Sequence, residues 1–428
     1  MPADGAPADG PHPGASGAPH AGRPALLLTG ARLLDGRVVD VRIGGDRIQA
    51  VGTAGSLGHG TAPPGPRVDL GGYLLLPAPA EPHAHLDAAF SAALPGPPPE
   101  GGPELLRRIT EGALTGLGYG ATAQRTHVRI GALHGLGRLE TVLEAGRALR
   151  GLVEVQAVAM PRLLTGAAGA AERELLREAL KLGAHAVGGC PDLDPDPAGY
   201  VETLLGIAAE FGCPVDLHTD AADPARLTRL AAVLGPVRPR AAIGPCTRLG
   251  LLPDGAAARC ADRLAAAGVA VVCLPQSGGC TGSGGPGHPA PAAFRPALAG
   301  VLRRAGVALA AGSGGLRDPG NPVGRADPLE AAFLLSAAGA LEPEAAYEAV
   351  SARAREVLGL PEVRVEAGFP AELLAVRGDS LRGALAGGQS RVVVHRGRVA
   401  SRTSAVREFA DTTTLAVPRQ GRGTPPRP

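Results

Sequence analysis

The sequence predicts an α/β protein whose centre is a (β/α)8 TIM barrel, with a small composite β-sandwich domain built from both ends of the chain. Two observations predict the barrel. Between residues 73 and 362 the hydrophobic pattern switches eight times from a strand-like apolar run to a run with helical periodicity, which is the pattern of βα units and a parallel sheet. Eight such units occupy about the ~250 residues that a (β/α)8 barrel needs. A third observation predicts the smaller domain: residues 25–70 and 371–401 alternate short apolar runs with Gly and Asp turns, as hairpins do.

The elements follow in order. ALLLTGARLLDG and RVVDVRIGGDRIQAVG open the chain as hairpin strands, and RVDLGGYLLLP continues them. Barrel strands are expected within 73–87, 121–130, 153–161, 185–192, 214–221, 240–247, 269–277 and 307–315. The helices between them are clearest in GRLETVLEAGRALRG, AAERELLREALKLG, DPAGYVETLLGIAAEFG, DPARLTRLAAVLG and DGAAARCADRLAAAG. Each places apolar residues at i, i+3 and i+4 and Arg or Glu on the other face. The last hairpin turns near His395-Arg396-Gly397. The expected division is a tail over 1–24, a β domain from 25–72 and 363–402, a barrel over 73–362, and a second tail over 403–428. Both tails are expected to be disordered, because Pro, Gly, Arg and Thr bury too little apolar surface to offset chain entropy.

Composition narrows the function. The 428 residues carry 42 Lys+Arg against 40 Asp+Glu, 2% aromatic residues and no Trp. That provides neither a phosphate-binding field nor stacking platforms, so nucleic acid is not the expected partner. The N-terminus has acids where a signal peptide needs bases, and no long purely apolar run follows, so neither secretion nor membrane spanning is expected. Six Cys at scattered spacings suit the reducing cytoplasm. The expected partner is a small molecule, and a homo-oligomer is compatible with the sequence.

Chemistry belongs at the C-terminal ends of barrel strands. The first ends in Glu81-Pro82-His83-Ala84-His85-Leu86-Asp87. In an extended strand residues i and i+2 point the same way, so His83 and His85 project together and suit one metal ion; the alternative is a pair of packed histidines.

PHAHLD on a first barrel strand flanked by split β segments resembles the amidohydrolase superfamily, in particular its cytosine deaminase-like branch. Arg125-Thr126-His127-Val128, Leu182-Gly183-Ala184, Asp216-Leu217-His218, Asp318-Pro319 and Pro322-Val323-Gly324 extend the likeness over roughly residues 26–402. The resemblance implies hydrolytic deamination of a cyclic amidine or amide by a metal-bound water, with one divalent ion, zinc or iron. It assigns the metal to His83, His85 and His218.

The same resemblance shows three departures. The family's proton-shuttling Glu falls at Ala221, its water-orienting His in Gly244-Pro245-Cys246-Thr247, and its base Asp at Gly314. Asp220 is the remaining catalytic candidate, although alternation turns it away from the His218 side. Cys246 is a candidate fourth ligand in a His3Cys tetrahedron or else a small buried hydrophobe. Lys181, the single lysine, precedes the fourth strand, so the carboxylated lysine of the family's two-metal sites is not expected. Where the family has a substrate-pairing Gln after the third strand, this chain has Arg162, which prefers anionic groups and otherwise faces solvent. Gln276 and Asn321 are further ligand-orienting candidates or turn caps. His127 either reaches the barrel mouth as a substrate-binding residue or is a satisfied core histidine. His12, His20, His59, His134, His288 and His395 are expected in solvent. Two functions follow: an impaired C–N hydrolase, or a pseudoenzyme barrel that binds a small molecule or a partner.

Overall fold

The computed structural model describes residues 25–57, 65–94, 96, 101–131, 134–276 and 294–406. Five strands open the chain: β1 (Leu26–Arg32), β2 (Val38–Gly44), β3 (Arg47–Thr53), β4 (Arg67–Asp69) and β5 (Tyr73–Pro77). Eight barrel strands follow: β6 (Glu81–Ala84), β7 (Ala123–Ile130), β8 (Glu154–Pro161), β9 (Ala186–Gly189), β10 (Val215–Thr219), β11 (Ala242–Pro245), β12 (Ala270–Cys273) and β13 (Leu309–Ala311). The chain then returns through β14 (Leu373–Arg377), β15 (Arg391–His395) and β16 (Arg398–Thr403).

The barrel strands are parallel neighbours in chain order. A bridge between Ala84 and Gly314, and the Gly314 N–H donating to the His83 carbonyl at 3.1 Å, bring the end of β13 back to β6. Helices alternate with the strands as the sequence pattern requires. Three begin with an Asp-Pro pair: Asp196, Asp223 and Asp327 accept backbone N–H groups of the first turn, and Pro197, Pro224 and Pro328 occupy the position where a missing N–H costs nothing. Gly212 and Gly268 end two helices at φ 63° and 68°, a conformation that disfavours a Cβ.

Alternation along each strand sorts side chains between two interiors. Val128, Ile130, Leu217, Ile243, Val271 and Cys273 face the helices in the main core. Ala242, Ala270, Val272, Ala310, Val158 and Met160 form separate small clusters inside the barrel. By the same alternation Arg125 and His127 of β7, and Asp216 and His218 of β10, point into the barrel.

The remaining eight strands, ordered β16-β15-β14-β5-β1-β2-β3 with β4 on β1, make the additional β domain that the sequence reading expected. It joins both ends of the chain and has its own core around Leu28, Val41, Ile43, Leu75, Leu373 and Val394. Residues 73–77, read from sequence as the start of the first barrel strand, belong here, paired antiparallel with β14. Residues 73–80 of this run, YLLLPAPA, carry no charged residue, so hydrophobic patterning alone did not divide it. Arg391 fastens this sheet to the barrel: its guanidinium donates to both carboxylate oxygens of Asp327 at 2.8 and 2.7 Å, and to the Tyr119 carbonyl at 2.7 Å.

Candidate metal centre

His83, His127 and His218 come from three barrel strands, and each offers a nitrogen within 4.8 Å of the others. Their ring centroids stand 4.2, 4.3 and 4.6 Å apart. All three are buried, and both ring nitrogens of each lack a hydrogen-bond partner. An unsatisfied buried polar group costs about 1–3 kcal/mol, so three together are an expensive arrangement unless something outside the chain bonds them. A divalent ion is the natural partner of three converging imidazoles. Burial, reinforced by the neighbouring imidazoles, holds His83 and His218 well below the ordinary histidine pKa, which leaves them neutral with lone pairs to donate.

His85 stands one ring further out, with centroids 5.3, 5.5 and 5.9 Å from His83, His218 and His127. Its Nδ1 lies 3.3 Å from the His127 carbonyl. Burial, with His127 and Arg129 adding, pushes it down to about 3. His127 is the residue that sequence reasoning underrated. It is not a satisfied core histidine, since neither nitrogen is hydrogen-bonded and Nε2 faces Asp216 Oδ1 at 3.4 Å.

A polar scaffold surrounds the cluster. Arg125 donates to Asp216 Oδ2 at 3.0 Å and to Gln156 Oε1 at 3.2 and 2.9 Å, and Gln156 donates to the Leu358 carbonyl. Burial works to raise the Asp216 carboxyl, but His127 and Arg125 outweigh it and hold it below the usual aspartate value. Glu81 ties the barrel seam: it accepts the His83 N–H at 2.9 Å, the Ser313 N–H at 2.8 Å and the Ser313 hydroxyl at 2.5 Å. Burial pushes its carboxyl up to about 7, although those bonds oppose the rise.

Asp216, Arg125 and Glu81 were given no role from sequence. Strand alternation was the available signal, because Asp216 sits two residues from His218, Arg125 two from His127 and Glu81 two from His83.

The three positions where the resemblance places acid–base groups share a backbone feature. Ala221, Cys246 and Gly314 have φ of 54°, 56° and 74°. Phe90, Arg317 and Ala326, with φ of 58°, 46° and 56°, are further left-handed non-glycine residues in the segments that follow β6 and β13, and such strain gathers at functional sites. Ala221 and Cys246 pack in the helix–strand core. Burial, then Asp220 and Asp192, pushes the Cys246 thiol far up, and Cys246 is not among the atoms that converge with the imidazoles. Asp220 accepts the Thr247 hydroxyl at 3.0 Å. Arg162 is exposed, with its backbone N–H donating to Glu172. Gln276 Nε2 donates to the Asp327 carbonyl at 2.8 Å while its Oε1 is buried without a partner. Asn321 donates to the Gln276 carbonyl. His395, expected in solvent, is buried, its Nδ1 paired with Glu372 at 2.8 Å. His12, His20, His59, His288 and Cys280 lie outside the described residues. Among the described residues no helix is long and apolar enough to cross a membrane.

Comparison with known proteins shows what the chain is similar to. No family model matches the chain. It is 28% identical over 299 residues to a pterin deaminase of Rhizobium rhizogenes, covering 67% of each sequence. A solved N-isopropylammelide isopropylaminohydrolase from Burkholderia multivorans matches 89% of this chain and 99% of its own, with a TM-score of 0.74 and 27% identity. Both relatives are amidohydrolases, and the chain shares their fold. Two further likenesses are more limited. An uncharacterized Escherichia coli protein, YahJ, is 30% identical over 184 residues, 37% of this chain and 39% of its own length. A Klebsiella pneumoniae 5-methylcytosine deaminase shares the amidohydrolase fold at a TM-score of 0.75 and 22% identity, over 90% of this chain and all of its own.

Proposed function

We propose that the protein holds one divalent ion, zinc or iron, through His83, His127 and His218, and is an impaired hydrolase of C–N bonds in a small cyclic amidine or amide. The observation that carries this reading is the set of buried imidazoles whose ring nitrogens all lack a hydrogen-bond partner, with only Nε2 of His127 in ion-pair range of a carboxylate. An ion bound there would act as a Lewis acid toward a substrate and lower the pKa of water. The chain's own contribution is to keep His83 and His218 neutral by burying them and to fix the strands that carry the cluster, with Glu81 accepting the His83 backbone N–H and Asp216 facing Nε2 of His127. His85, at the rim of the cluster, is placed to orient a ligand.

Moving the proton is where the site is poor. General acid–base catalysis contributes about 10²- to 10⁴-fold, and Ala221, Cys246 and Gly314 contribute none. Glu81 has its carboxylate engaged by three donors. Asp220, engaged by Thr247, is the first residue to substitute if turnover is found. A pterin deaminase and an aminotriazine hydrolase among the relatives support a nitrogen heterocycle as substrate, and exposed Arg162 suits an anionic substituent. The free described cysteines agree with a cytoplasmic setting.

The missing acid–base groups also favour a second reading, a barrel that binds metal and ligand without turnover. Ammonia or amine release from pterin, cytosine and an N-alkylated aminotriazine, measured on metal-loaded and stripped protein, separates the two. Slow release that needs the metal and is lost in His83→Ala supports the hydrolase. Metal-dependent ligand binding without release supports the non-catalytic barrel, and absence of metal binding overturns both.

A further inference from the structure

Of the three converging imidazoles, His127 differs in having a carboxylate behind it. His83 and His218 have no side-chain acceptor at either ring nitrogen, whereas Nε2 of His127 points at Asp216 Oδ1 across 3.4 Å. Asp216 has little freedom to turn away. Its other oxygen takes the Arg125 guanidinium at 3.0 Å, Arg125 is clamped by two bonds to Gln156, and Gln156 is fixed to the Leu358 carbonyl and to Glu154. Every member of this relay except Glu154 is at least nine-tenths buried. The relay also spans three strands, β7, β8 and β10, so it sets the position of His127 relative to His218 directly.

An ionised carboxylate only accepts. Facing Nε2, it places the imidazole hydrogen there and leaves the lone pair on Nδ1. Histidine ligands of metal ions are usually held in this way by a carboxylate or carbonyl at the second nitrogen. The geometry points to Asp216 as the positioning residue of a strand-2 ligand: it selects the Nε2–H tautomer of His127 so that Nδ1 is offered to the ion, beside His83 and His218. This rests on the metal reading given above and adds to it the source of the ligand's orientation. It also accounts for how a cluster with no carboxylate of its own among the described residues retains a negative charge close by. That charge is shared with Arg125, so the pair contributes orientation more than net attraction.

The test reads the tautomer and the metal separately. Protein stripped of metal and labelled with ¹⁵N-histidine reports which nitrogen of His127 carries hydrogen, with the resonance assigned from His127→Ala. Wild type shows the Nε2–H form, and Asp216→Asn, which can donate as well as accept, shows a mixture or the opposite form. The same samples are titrated with Co²⁺ and followed by its visible spectrum. Asp216→Asn weakens binding by about 10- to 100-fold, the usual effect of removing such a partner. An Nδ1–H tautomer in wild type, or a tautomer and Co²⁺ affinity unchanged in Asp216→Asn, overturns the assignment. Failure of wild type to bind Co²⁺ overturns the metal reading alone, because the tautomer is read without metal. Should Asp216→Asn fail to fold with Arg125 left unpaired, the double variant Arg125→Met/Asp216→Asn removes both charges together and is read in the same way.

Discussion

Ala221 has φ 54° and is buried, in a region that costs an L-residue about 1–2 kcal/mol. Its N–H is nevertheless held by the Thr219 hydroxyl at 3.0 Å, so the turn after β10 is fixed by its surroundings rather than by the side chain. Replacing Ala221 with Gly relieves the strain and loses one methyl group. Ala221→Gly is therefore expected to raise stability by about 0.5–1 kcal/mol, read as a higher denaturant midpoint with an unchanged slope. A lower midpoint would show that the left-handed turn is not strained.

The same residue scale explains which side chains could be read from sequence. His83 and His218 were legible as ligand candidates through spacing and motif, whereas His85, read beside them, stands outside the three histidines whose nitrogens converge. His127 could not, because its meaning depends on His83 and His218 arriving from β6 and β10, strands separated from it by about 40 and 90 residues. His395 misled for a related reason. Its position beside a turn suggested solvent, yet it is buried and paired with Glu372, the residue just before β14.

At the scale of elements, the barrel strands and helices were legible because alternation and helical periodicity are local, and the Asp-Pro caps mark helix starts. The seam between β6 and β13 was not. β13 has only three residues, and what draws its end to β6 is the Glu81 carboxyl accepting from Ser313 and from His83. Glu81→Gln turns one acceptor into a donor against those donors. The expected cost is about 1–3 kcal/mol, accompanied by faster hydrogen exchange at Gly314, whose N–H bonds the His83 carbonyl. Unaltered exchange there would mean that the seam is held by backbone alone.

For the whole molecule two quantities follow. The first is coupling between the barrel and the terminal sheet. Arg391→Ala leaves the Asp327 carboxylate buried without its bidentate partner, and breaking such a buried pair costs about 3–5 kcal/mol. Because the Asp327 carbonyl holds Gln276, the loss should also loosen the end of β12, visible as increased proteolysis or exchange around residue 276. The second is the pH dependence of the metal-free protein. His83, His85 and His218 have pKa values lowered by burial, so below about 6.5 the unfolded chain takes up protons that the folded chain refuses. Stability then falls with pH by about 1.4 kcal/mol per unit for each histidine. Glu81, raised to about 7, acts oppositely: its contribution is complete below about 4.5 and is lost as pH rises through 7. Three protons against one leave a net fall of roughly 3 kcal/mol per unit between pH 6 and 5, measurable by urea unfolding. A flat profile there would show that the imidazoles are not held neutral.

The central claim is that the buried imidazoles exist to hold an ion, and metal content tests it most directly. Protein purified without chelators, then dialysed against zinc, iron or cobalt and analysed for bound metal, should hold about one divalent ion per chain, as expected for an open three-histidine site. His83→Ala should hold none while retaining its circular dichroism spectrum. Folded wild-type protein that takes up no ion, or a His83→Ala variant with the same metal content as wild type, would contradict the account.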